Sequence, residues 1–92
     1  MDQHCYIIMY DLRVPGRNYT ELIDAIKQYP QWGHLTESSW AVITDKTPVE
    51  IRENLKRYLD TNDRLIVVQS GRNAAWFKCL ASNSWIHENI IK

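Results

Sequence analysis

The sequence predicts an α+β fold, a ferredoxin-like βαββαβ unit built on an antiparallel sheet, and three observations carry that expectation. Two short apolar runs, CYIIMYDL (Cys5 to Leu12) and RLIVVQ (Arg64 to Gln69), have the length and β-branched content of buried strands. Two segments with apolar residues at helical spacing follow turn signals, the second opening on Thr47-Pro48-Val49-Glu50. Between these helices Trp40, Val42 and Thr44 alternate with Ala41 and Ile43, the period of a strand.

Cys5 to Leu12 is expected as a central first strand, stopped by Val14-Pro15-Gly16. Asn18, with Glu21 three residues on, forms a capping-box pattern; Tyr19, Leu22, Ile23, Ile26 and Tyr29 then follow at helical spacing until Pro30 ends the helix. Gln31 to Asp45 reads as a hairpin interrupted by Glu37-Ser38-Ser39. In the second helix, Pro48 to about Leu59, Thr47 is the N-cap and Pro48 takes the first helical position. Ile51, Leu55, Tyr58 and Leu59 form its buried stripe. Asp60-Thr61-Asn62-Asp63 turns the chain into a fourth strand, again expected to be buried.

Right-handed crossovers put both helices on one face of the sheet and the first and fourth strands side by side in its middle. The other face is left bare. Gly71 to Leu80 is expected to add a short fifth strand, and Ser82 to Ile91 a terminal helix carrying Trp85, Ile86 and Ile90. Such a tail has few partners within its own subunit and is expected to cover a neighbour, which makes Trp76 and Trp85 the interface candidates of a homodimer.

A chain of 92 residues, 45% hydrophobic with four Trp and five Tyr, forms one domain, residues 1–92, that buries roughly 60 to 70% of its surface. Eleven Lys and Arg balance eleven Asp and Glu, so any nucleic-acid partner would need a local basic patch. No apolar run reaches the ~18 residues of a membrane span, and the polar start MDQHCYIIMYDLR is not expected to act as a signal peptide. A cytoplasmic protein with no membrane partner is therefore expected. Cys5 and Cys79 lack metal-ligand spacing and are expected as reduced, packed thiols.

An apolar strand ending in Tyr10-Asp11, the turn Leu12 to Arg17, the hairpin residues His34-Leu35 to Trp40, and Asn62-Asp63-Arg64-Leu65 leading into strand four together resemble a known superfamily. It comprises the small CRISPR-associated (Cas-type) endonucleases and VapD-type toxin ribonucleases. The chain is particularly similar to the stand-alone SinR-like group of bacterial and phage proteins, over roughly Tyr6 to Phe77. The resemblance implies a ferredoxin-like subunit that dimerises through its sheets or terminal strands. It also implies a metal-dependent nuclease in which an acidic residue at the end of strand one faces its symmetry mate, a position that Asp11 matches. The shorter hairpin and the tail depart from the CRISPR-associated members, which act largely as scaffolds.

Asp11 is thus the candidate catalytic and metal-binding residue, two copies holding one Mg2+ or Mn2+ with phosphate oxygens and water. Its alternative role is to cap the Pro15-Gly16 turn. His34 is the candidate proton carrier, set against packing beside Trp32 and Trp40. Arg13, Arg17, Arg64 and Arg72, with Lys46, are candidates for a phosphate-binding rim, set against a solvated surface. Trp32 and Trp40 could stack bases, but core packing is favoured. No nucleophile elbow accompanies Ser38, Ser39, Ser70 or Cys79, so acyl transfer is not expected. Two functions follow: a homodimeric metal-dependent endonuclease acting on nucleic acid, or a non-catalytic dimer that binds a partner protein or nucleic acid, for example in phage–host conflict.

Overall fold

The computed structural model describes residues 2–91. The elements run β1 (His4–Asp11), α1 (Thr20–Ile26), β2 (Gln31–Thr36), β3 (Ser39–Thr44), α2 (Pro48–Lys56), β4 (Arg64–Gln69) and α3 (Asn83–Ile86), with a π-helical segment His87–Ile91 continuing α3. The strands form one antiparallel sheet in the order β2-β3-β1-β4.

Side chains alternate across the sheet, so β1 and β3 each feed two cores, one on either face. Tyr6 and Ile8 of β1, with Trp40 and Val42 of β3, meet Leu22, Ala25 and Ile26 of α1 and Ile51 and Leu55 of α2 on one face. Both helices lie on that face, as expected. The second core, on the opposite face, joins Cys5, Ile7 and Ala41 to Ile86 and Ile90 from the tail.

The helices start and stop for local reasons. Thr47 accepts from Glu50 N while the Glu50 carboxylate accepts from Thr47 N, completing the capping box before Pro48. Replacing Thr47 by alanine is expected to cost about 1 kcal/mol, measured as a lowered urea midpoint at unchanged slope. The α1 capping box is not formed. Asn18 Oδ1 instead accepts from Thr20 N at 2.9 Å, and helix α1 begins one residue later than a cap at Asn18 would require. Both helices end earlier than their apolar stripes, in tight turns such as Tyr29 N to Ile26 O and Leu59 N to Lys56 O. Gly16, at φ +78°, occupies the left-handed position of the turn closed by Arg17 N on Val14 O.

Three expectations are corrected. First, β1 and β3 are the central strands and β4 is an edge, with Ile66 and Val68 exposed. The β2–β3 hairpin takes the other flank of β1, leaving β4 a single neighbour. Second, Gly71 to Leu80 forms no strand; it makes one backbone bond to the sheet, Leu80 N to Leu35 O at 2.9 Å. Third, the second face is not bare, because the tail folds onto its own sheet. Gly33 and Ala41 make this docking fit. An added Cβ at Gly33 would lie 2.6 Å from the Trp85 ring, so only glycine leaves that seat open.

Candidate functional site

Asp11 ends β1 opposite Arg64 of β4, on the face away from α1 and α2. Its Oδ2 accepts from Arg64 Nη1 at 3.2 Å and from Arg13 Nη1 at 3.3 Å. The Asp11 side chain is half exposed, so the two ion pairs position charge more than they stabilise the fold. Asp11 does not cap the following turn. Asp63 instead ties the segment ahead of that turn to the Asp60–Asp63 turn: its carboxylate accepts from Arg13 N and Asp60 N, each at 2.7 Å, and from the Tyr19 hydroxyl at 2.9 Å. Burial by itself would raise the Asp63 carboxyl. The two backbone donors, the Tyr19 hydroxyl and the Arg17 guanidinium outweigh it and hold the group below the ordinary aspartate range.

His34 lies on the helix-bearing face. Its ring stacks on Trp40 at 3.9 Å with an interplanar angle of 9°, and Nε2 is 3.4 Å from Glu37 O. Trp40 Nε1 donates to Tyr10 Oη at 2.9 Å, and Trp32 packs on Trp40 at 5.6 Å between centroids. Since Tyr10 and Asp11 are successive strand residues, Asp11 and His34 point to opposite sides of the sheet. One subunit therefore does not join them in one site, and His34 is a packing residue for Trp40.

The basic rim is also divided. Arg17 is held by Asp60 at 2.9 Å and donates to Tyr58 O, while Arg13 and Arg64 are tied to Asp11. Arg72 lies at the opposite end of the sheet, in a cleft with His4, Ser70 and Glu88, and Lys46 follows β3 at that end. Trp76 donates to Asn83 Oδ1 at 2.9 Å, and Trp85 sits over Gly33; both are half-buried against their own chain. Burial pushes the Cys5 thiol up to about 11, with Ser70 drawing it the other way, so Cys5 stays protonated near neutral pH and is no nucleophile.

Among the described residues no three His, Cys, Asp or Glu side chains converge as cation ligands, and Asp11 is already shared by two guanidinium groups. The donor set of one subunit does not fit a divalent cation. Asp63 was legible only as part of a turn. Its partners Arg13 and Tyr19 lie far away in the chain, and no local pattern marks them. No helix among the described residues is long and apolar enough to cross a membrane.

What the fold exposes most distinctively is apolar. Met9, Ile66 and Val68 form a strip on β1 and β4 beside Asp11 and Arg64. Phe77 and Leu80, 82% and 64% exposed, stand on the tail loop. No known family model matches the sequence, and no solved structure matches the chain at a significant level.

Proposed function

We propose that this protein is a non-catalytic homodimer of ferredoxin-like topology that binds a partner protein. The topology reading is supported by the strand order β2-β3-β1-β4 with both helices packed on one face. The dimer reading rests on one observation, the unprotected edge of β4. Its interior residues Leu65 to Val68 carry no charge, proline or bulge, the devices by which monomeric proteins block strand pairing. The other edge, β2, has an irregularity between His34 and Thr36 and the bond from Leu80.

A protein partner is favoured over nucleic acid because Arg13, Arg17 and Arg64 are each spent on carboxylates, while Phe77 and Leu80 offer apolar contact. The second reading, a metal-dependent nuclease of the Cas-type superfamily centred on Asp11, is favoured by the half-exposed position of that carboxylate at the sheet end.

One pair of measurements separates the readings. The wild type is expected to sediment as a dimer at micromolar concentration. Its melting temperature is expected to stay unchanged by millimolar Mg2+ or Mn2+, in the wild type and in Asp11→Asn alike. A metal-dependent rise that disappears in Asp11→Asn, accompanied by Asp11-dependent cleavage of nucleic acid, would establish the nuclease instead.

A further inference from the structure

We infer that two copies of the chain join through the free edges of β4, antiparallel, with Val67 on the two-fold axis, so that their sheets become one. This rests on the dimeric reading above and specifies its geometry. The free groups follow from the ladder. Ser70 N donates to Cys5 O at 2.8 Å, and the register Tyr6 to Gln69 places these two residues opposite each other. Bonded and non-bonded pairs alternate along an antiparallel ladder. Ile7–Val68, Met9–Ile66 and Asp11–Arg64 are therefore the bonded pairs, and Leu65, Val67 and Gln69 turn their N–H and C=O groups to the open edge.

Symmetry then restricts the register. A two-fold axis perpendicular to a continuous sheet keeps each face on its own side, so odd residues of one β4 oppose odd residues of the other. With Val67 on the axis, Val67 bonds its mate and Leu65 bonds Gln69 on either side, which uses every outward residue of the strand. On the exposed face Ile66 then lies beside Val68 of the other copy. Centring on Ile66 instead leaves Gln69 unpaired and sets the Arg64 guanidinium against Val68. The Val67 register satisfies more backbone groups and matches apolar with apolar.

This assembly also bears on Asp11. Three strand spacings and six residues of stagger place the two Asp11 carboxylates on the order of 25 Å apart, so they share no cation.

Val67→Pro tests the inference, because the proline removes an N–H that the subunit's own ladder does not use and that both copies contribute to the joint. Circular dichroism is expected to show a folded protein, and sedimentation equilibrium a dimer dissociation constant raised at least about thirtyfold by the loss of the central bonds. Ile66→Lys, which alters only the exposed face, is expected to change that constant by less than about tenfold. A dimer formed by stacking the exposed faces predicts the reverse order.

If Val67→Pro fails to fold, Val67→Cys in a Cys5→Ala/Cys79→Ala background decides. The facing Cα atoms are expected about 5.5 Å apart, within disulfide range, so mild oxidation should link the subunits. A folded Val67→Pro dimer of undiminished affinity, or no intersubunit link, overturns this joint while leaving the dimeric reading. A wild type that is monomeric throughout overturns both.

Discussion

Replacing Trp40 by alanine is expected to destabilise the protein by about 3–5 kcal/mol, a large share of the ~5–15 kcal/mol available to a domain of this kind. Trp40 is buried at the centre of the main core, with His34 stacked on one side of its ring and Trp32 tilted against it. Removing it opens a cavity between β3 and the helices that the stiff sheet cannot close, and frees His34 and Trp32. A guanidinium titration followed by near-ultraviolet circular dichroism measures the loss. Trp40→Phe separates packing from polarity, since it keeps an aromatic ring but deprives the Tyr10 hydroxyl of its Nε1 donor. Its expected cost is smaller, about 1–2 kcal/mol. A loss under 1 kcal/mol in Trp40→Ala would show that the site relaxes and that Trp40 does not organise this core.

The second large effect is expected at Asp63, which joins the segment after β1 to the turn before β4. Asp63→Ala leaves Arg13 N, Asp60 N and the Tyr19 hydroxyl without their shared acceptor, at an expected cost on the order of 2 kcal/mol. The pH dependence has a definite sign. The folded Asp63 carboxyl lies below its ordinary value, so near pH 3–4 the unfolded chain holds more protons there than the folded one. Its contribution is complete above about pH 5 and is lost as the pH falls through the folded value. The stability gap between wild type and Asp63→Asn should therefore narrow between pH 5 and pH 2, read from urea midpoints. A gap that stays constant would mean that the Asp63 charge contributes nothing and only its shape matters. Glu50 and Glu53 are also held low, Glu50 mainly by the Thr47 backbone and Glu53 by Arg52. Both slope the same way in wild type and variant, so they cancel in the difference.

The functional residues divide along the same line as these two predictions. Trp40 was legible as part of an alternating strand, with core packing as its favoured reading, while His34 stood as a candidate proton carrier set against packing beside it. The role of Asp63 was not legible, because its turn looks like any Asp-rich connection. Asp11 was legible as a carboxylate at a strand end. Its neutralisation by Arg64, 53 residues away, depends on the β1–β4 register, which no short segment specifies.

By itself the sequence determined the four strands and two main helices, whose signals act over a few residues, but not Gly71 to Leu80, which forms no strand. The T-P-V-E cap, the apolar run Arg64–Gln69 and the alternation through Trp40 each act on neighbouring backbone groups, and each forms the helix start or strand expected of it, the burial of Arg64–Gln69 aside. Tertiary structure alone decided that β4 is an edge, because a run such as Leu65 to Val68 is equally apolar whether one neighbour or two flank it. It also decided that the tail folds back onto its own sheet. That docking depends on the small residues Gly33 and Ala41 meeting Trp85 and Ile86 across a face whose shape exists only after the strands have paired.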